Sequence, residues 1–145
     1  SYLDKPFFVI NGDLLTKLNF ENLMEYHISH GNRITIATRK HELQIPYGVV
    51  DIEGEKVVSL KEKPVSRFFI NGGIYCLDPE TIKHIPRDRF FNITELIDIV
   101  LRNNENVGSF PIREYWMDIG QINDYQQANN DYYELFEGET CAVKE

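Results

Sequence analysis

Two aspartates draw attention first, because each lies at the end of an extended segment with a glycine one or two residues away. Asp13 closes Asn11-Gly12-Asp13 after the apolar run Phe7-Phe8-Val9-Ile10, and Asp118 lies within Trp116-Met117-Asp118-Ile119-Gly120. Carboxylates at strand ends offer the hard oxygen ligands that Mg²⁺ takes, one or two from the protein with phosphate oxygens alongside. In open α/β sheets, ligands bind beyond the carboxyl ends of strands, which is where Asp13 falls. Each residue also has a local reading. Asp13 can close its own turn through an Asx hydrogen bond, and Asp118 can cap the helix that follows.

A second group is Lys61-Glu62-Lys63-Pro64. Glu62 can accept hydrogen bonds from sugar hydroxyls and Lys63 can pair with a phosphate; a solvated strand edge is the alternative. Adjacent strand residues point to opposite faces, so both reach one ligand only if the strand bends or ends between them, and Pro64 makes such a bend. Tyr47-Gly48 and Asn71-Gly72-Gly73 supply glycines where backbone could approach a sugar ring, or where a bulge simply forms. The four histidines have no Ser, Cys or Glu partner at suggestive spacing. His27 reads as a packed residue on a helix stripe, His30 as lying near a helix C-terminus, and His41 and His84 as loop residues.

The elements that must position these groups follow from periodicity. Phe7–Ile10 reads as a strand buried on both faces. Phe20, Leu23, Met24, His27 and Ile28 form one helical stripe, with Asn19 as N-cap and Gly31 as the C′ residue. Arg33 to Thr38 reads as a strand, which completes a βαβ-type unit. Tyr47–Ile52 and Lys56–Leu60 around Glu53-Gly54-Glu55 read as a hairpin. Phe68–Ile70 and Ile74–Leu77 flank the glycines. Asn92-Ile93-Thr94-Glu95 is a capping box that starts a helix to about Arg102, with Ile93, Leu96, Ile97, Val100 and Leu101 inward and Phe91 and Leu96 as the staple. Val107–Ile112 and Tyr115–Asp118 read as extended, and Asn123–Phe136 as a last helix, whose Tyr132, Tyr133 and Phe136 read as core or an oligomer contact. The expected class is α/β with a mixed sheet flanked by helices.

Composition limits the partners. The 145 residues carry a net charge of −8, which argues against the cationic surface that broad nucleic-acid binding requires. No apolar run is long enough to cross a membrane as a helix. No leader is visible at the N-terminus, and a reducing cytoplasm is the expected compartment. Of the two cysteines, Cys76 reads as a small core residue, and neither it nor Cys141 has metal-knuckle spacing.

The order of these motifs resembles the sugar-1-phosphate nucleotidyltransferases, in the mannose-1-phosphate guanylyltransferase-like and glucose-1-phosphate thymidylyltransferase-like branches. The resemblance runs through Asn11-Gly12-Asp13, Tyr47-Gly48-Val49-Val50, Glu62-Lys63-Pro64, Asn71-Gly72-Gly73-Ile74-Tyr75 and Trp116-Met117-Asp118-Ile119-Gly120, and it covers nearly the whole chain. It implies a Rossmann-like nucleotidyltransferase fold, incomplete here. It also implies a reaction in which a sugar 1-phosphate attacks the α-phosphate of a nucleoside triphosphate, giving nucleotide-sugar and pyrophosphate. By the same resemblance, Asp13 and Asp118 would bind Mg²⁺, Glu62 would hold sugar hydroxyls, and Lys63 the sugar phosphate. Gly48, Asn71 and Gly73 would line the sugar pocket, while Trp116 packs to position Asp118. The family's glycine-rich triphosphate loop has no counterpart before Asp13. Residues 1–145 are therefore expected to form the C-terminal, sugar-phosphate-binding portion of a catalytic domain, to be inactive alone, and to self-associate through exposed sheet edges. The alternative is a non-catalytic regulatory or assembly subunit on the same fold. A glycosyltransferase with a similar sheet is a third possibility, but its Asp-x-Asp motif does not occur in the chain.

Overall fold

The structure is a computed structural model that describes residues 3–136; Cys141 lies outside them. A four-stranded mixed sheet forms the centre, in the order β1 (Phe7–Ile10), β6 (Val65–Leu77), β3 (Ile34–Gln44), β7 (Val107–Pro111). β6 is antiparallel to both of its neighbours, and β3 is parallel to β7. The βαβ expectation holds in direction but not in adjacency, because β6 inserts between β1 and β3.

Helix α1 (Phe20–Ser29) covers one face. Its stripe joins Leu23 to Ala37, Ile74, Cys76 and Ile112. Helix α2 (Ile93–Arg102) covers the other face, packing Leu96, Ile97 and Val100 against Ile34, Tyr75 and Leu77. Leu23 and Leu96 are completely buried, and burying a leucine is worth roughly 1.5–3 kcal/mol. The caps are the ones the sequence announces. The Asn19 side chain accepts from the Asn22 amide, Gly31 takes φ +58° after the α1 C-cap His30, and Glu95 Oε1 accepts from the Asn92 amide at 3.0 Å.

Some expectations are corrected. Leu101 lies on the exposed side of α2, one position beyond the inward stripe. His41 belongs to β3, and His84 ends a 3-10 turn, Pro79–His84. β3 runs well past Thr38, and the two runs around Asn71-Gly72-Gly73 are one continuous strand. The distal parts of β3 and β6 form the stem of an arm tipped by the hairpin β4 (Val49–Glu53) and β5 (Lys56–Lys61). A three-residue strand β2 (Leu14–Thr16) pairs with β8 (Trp116–Asp118) as a separate ribbon, and helix α3 (Ile122–Leu135) closes the described chain. Tyr132 and Tyr133 of α3 are exposed rather than core. Among the described residues, no helix is long and apolar enough to cross a membrane.

Below α1, His27 is buried, with Nδ1 2.9 Å from Thr35 Oγ1, and Asn32 Nδ2 donates to the same oxygen. The Thr35 hydroxyl has two acceptor lone pairs and one donor, so it takes the Asn32 N–H and pairs with Nδ1 in the sense that the imidazole tautomer sets. His27 is a packed residue, as its place on the helix stripe suggests. Burial holds its pKa below the ordinary value, with Asp78 opposing. Cys76 is likewise a core residue, its thiol pushed up to about 11 by burial.

Candidate active site

The two aspartates come together through the β2–β8 ribbon. Leu14 pairs with Asp118, and the Ile119 amide donates to the Asp13 carbonyl at 2.8 Å. Residues opposite each other in an antiparallel pair have Cα atoms about 5 Å apart, so Asp13 and Asp118 share one end of the ribbon although most of the chain separates them in sequence. Both are exposed, and neither carboxylate has a hydrogen-bond or ion-pair partner among the described residues. The local alternatives therefore do not account for them. Asp13 makes no Asx bond, and the N-cap of α3 is Gln121, with Asp124 Oδ2 accepting from the Gln121 amide. The pairing brings the two backbones together and leaves both carboxylates exposed; carboxylate oxygens are the hard ligands that a divalent ion takes. No cluster of three or more His, Cys, Asp or Glu side chains able to hold a metal occurs among the described residues.

The ribbon is held against a bulge in β6. Between the pairs Ile36↔Tyr75 and Thr38↔Asn71, β6 carries extra residues, and the surplus is Gly72-Gly73. Gly73 has φ +70°, a conformation that side chains other than glycine rarely adopt. The Asn71 side chain is used at both ends: Oδ1 accepts from the Gly73 amide at 3.0 Å, and Nδ2 donates to the Tyr75 hydroxyl at 2.7 Å. The Gly73 carbonyl accepts from the Asn11 amide, which ties the turn before Asp13 to the bulge. The Gly72 carbonyl accepts from Trp116 Nε1 at 2.8 Å. Trp116 and Asp118 lie two apart on β8 and so share a face, which turns Asp118 toward the bulge. Asn71, Gly73, Asp13 and Asp118 thus lie in one neighbourhood.

Gly48, Glu62 and Lys63 form a second neighbourhood at the base of the hairpin. A Cβ on Gly48 would lie 3.0 Å from Glu62 Oε2. β5 ends at Lys61, and the chain bends at Glu62-Lys63. The Lys63 amide donates to the Tyr47 carbonyl, and the Ile45 amide to the Pro64 carbonyl. Lys63 has φ +45°, a rare conformation for a residue that is not glycine. The required bend between Glu62 and Lys63 is thus present. Neither side chain is paired within the described residues. Along β6, the path from Val65 to Asn71 spans roughly 20 Å of extended strand, and the contacts above do not join the two neighbourhoods.

Two residues carry contacts that the sequence reading does not anticipate. Asn11 seats against Gly73, its Nδ2 2.8 Å from where a Cβ would stand. Arg39 places Cζ 5.8 Å from the Trp116 ring centroid and donates from Nη1 to the Glu114 carbonyl at 3.1 Å. The available signal was an arginine continuing an apolar strand, Ile34-Thr35-Ile36-Ala37-Thr38-Arg39. Tyr115 anchors α3 by donating its hydroxyl to Asp131; burial, then that bond, pushes its pKa up to about 12.

Comparison with known proteins places the chain in a family. The family profile described as nucleotidyl transferase matches residues 2–134. The mannose-1-phosphate guanyltransferase of Schizosaccharomyces pombe is 37% identical over 125 residues, covering 83% of this chain and 34% of that protein. The mannose-1-phosphate guanyltransferase of Hypocrea jecorina is 33% identical over 127 residues, covering 84% of this chain and 35% of that protein. The crystal structure of HddC from Yersinia pseudotuberculosis superposes with a TM-score of 0.59 at 27% identity, covering 88% of this chain and 56% of that one. The chain spans about a third of the length of these curated relatives.

Proposed function

Because the chain belongs to the nucleotidyl transferase family, we propose that its protein transfers a nucleotidyl group from a nucleoside triphosphate to a sugar 1-phosphate. An oxygen of the sugar phosphate attacks the α-phosphorus, the bond from that phosphorus to the α,β-bridging oxygen breaks, and pyrophosphate leaves. The observation that carries this reading is the pair of exposed, unpartnered carboxylates, Asp13 and Asp118, at one ribbon end. Mg²⁺ held there would neutralise phosphate charge. The remaining work belongs to positioning, which dominates phosphoryl-type transfer. Glu62 accepts sugar hydroxyls, and the Lys63 ammonium, free of any ion pair in the described residues, holds the sugar phosphate. Gly48 leaves room beside Glu62, and Asn71 with Gly73 shapes the pocket floor through the bulge. Residues 1–145 hold no glycine-rich triphosphate loop, so we assign them the sugar-phosphate and metal side and expect no turnover from them alone.

The test is pyrophosphate release by the protein expressed from its complete reading frame, with Mg²⁺. The named relatives make mannose 1-phosphate and guanosine triphosphate the first pair to try. Asp13→Asn and Asp118→Asn should each lower kcat roughly 100-fold or more, the usual scale for removing one charge-stabilising group. Wild-type turnover in either variant refutes the metal assignment. No turnover with any sugar 1-phosphate and triphosphate, together with unaided ligand binding, identifies the non-catalytic alternative instead.

A further inference from the structure

We propose that Arg39 is a positioning residue that locks Asp118 in place relative to the central sheet, a role that rests on the transfer reading above. β8 is three residues long and pairs only with the three residues of β2. So short a two-stranded ribbon is marginal by itself. Its fixed position must come from ties to the four-stranded sheet. Trp116 Nε1 supplies one, on the Gly72 carbonyl. Arg39 supplies two more from a single side chain: an N–H bond to the Glu114 carbonyl at 3.1 Å and a guanidinium over the Trp116 ring at 5.8 Å. The first holds the chain where it enters β8. The second holds the ring whose indole N–H grips the bulge.

Arg39 stands one residue past Thr38, which pairs with Asn71, and is itself paired with Ile70. From there β3 runs on to Gln44 as the stem of the arm. One side chain rooted where that stem leaves the central sheet therefore ties the sheet to the segment that ends in Asp118. A lysine cannot replace it, because stacking on a ring while donating to a carbonyl requires the planar fork of a guanidinium. Arg39 needs no contact with substrate for this. A shift of the Asp118 carboxylate by about 1 Å is enough to cost roughly 100-fold in rate.

The experiment uses the protein from its complete reading frame and compares Arg39→Met, Arg39→Lys, Asp118→Asn and, as a control on the exposed neighbouring turn, Arg113→Met. We expect both Arg39 variants to lose roughly 10- to 100-fold in kcat and to need several-fold more Mg²⁺ for half-maximal rate. KM for sugar 1-phosphate should stay within about 2-fold, since Glu62 and Lys63 are untouched. Arg113→Met should match wild type. Trp116 emission should shift in the Arg39 variants without substrate or metal, a readout independent of activity. If Arg39→Met does not fold, the folded Arg39→Lys variant decides the matter. Wild-type kcat and Mg²⁺ dependence in either folded Arg39 variant, with Asp118→Asn inactive, overturns the positioning role alone. Full activity in Asp118→Asn overturns the transfer reading and this inference with it.

Discussion

An alanine at position 72 probes the junction on which the whole site depends. A Cβ built on Gly72 falls 2.4 Å from Ile112 Cδ1 and 2.7 Å from the Ala37 carbonyl oxygen. The isoleucine tip is buried and has little room to yield. The carbonyl cannot yield at all without disturbing β3, the strand hydrogen-bonded to both β6 and β7. Overpacking a filled core costs roughly 1–3 kcal/mol, and a backbone obstacle puts Gly72→Ala near the top of that range. For a chain of this size that lowers Tm by roughly 5–10 °C. Relief must come by pushing Gly72 away from Ala37, which lengthens the 2.8 Å bond from Trp116 Nε1. Trp116 is the single tryptophan of these 145 residues, so its emission reports on that bond directly while circular dichroism follows unfolding. Gly12→Ala is the matched control, since a Cβ there meets nothing within 4 Å, and its stability should stay within about 0.5 kcal/mol of wild type. Gly72→Ala with unchanged Tm and unchanged Trp116 emission would refute the steric reasoning and, with it, the claim that the bulge sets the ribbon's position.

Other perturbations follow from single contacts. Trp116→Phe removes the donor to the Gly72 carbonyl and should cost roughly 1–2 kcal/mol in urea unfolding; a loss below about 0.3 kcal/mol speaks against that bond. His27 has a folded pKa depressed from 6.5, chiefly by burial. The unfolded chain then binds more protons, so stability is intact above about pH 6.5 and falls as pH drops through the folded value. His27→Gln should flatten that acid-side slope in urea midpoints measured across the range, and an unchanged slope removes His27 as its source. Lys63→Gly should be about 1 kcal/mol more stable than Lys63→Ala, because only glycine takes φ +45° without the left-handed penalty. Both should lose sugar-phosphate affinity alike, and equal stability of the two, or affinity kept in either, counts against the reading of Lys63.

The sequence was legible where structure is local. The Asn92–Glu95 cap, the helix α1 ended by Gly31, and the hairpin around Gly54 each carry their own chemistry and form as their residues require, although Ile28 of the expected α1 stripe is exposed. β2 was not legible, because Leu14-Leu15-Thr16 is too short to signal a strand and extends only by pairing with Trp116–Asp118 far along the chain. β6 read as two runs because glycines break a strand pattern, yet here they are a bulge that lets one strand continue past the end of β1 while it stays paired with β3 as far as Gln44. The same limit applied to the site. The residue types at 13, 62, 63 and 118 could be read from the sequence, but their grouping into a ribbon end and a hairpin base depends on pairings that no local window contains.

The glycines and the carboxylates of this site carry different weight. Gly72 is required by Ala37 and Ile112, Gly73 by its φ and by Asn11, and Gly48 by the nearness of Glu62. Each therefore has a packing reason with no ligand in view, and Asn71 spends its side chain on the same bulge. None of these residues distinguishes an enzyme from an inert relative of the same fold. Asp13, Asp118 and Lys63 are the residues to test for that difference, because their side chains have no partner among the described residues. Two carboxylates share a ribbon end without a cation, and a lysine occupies a backbone conformation that suits glycine better. Replacing either aspartate should cost the fold little, since its side chain has no partner among the described residues, and glycine at 63 removes left-handed strain at the bend. Activity should therefore fall without loss of stability at positions 13 and 118 and in Lys63→Gly, whereas both fall together at 72. Substitutions that hold Tm at the first three positions while preserving turnover would show that the carboxylate pair and the lysine are not where the chemistry is done.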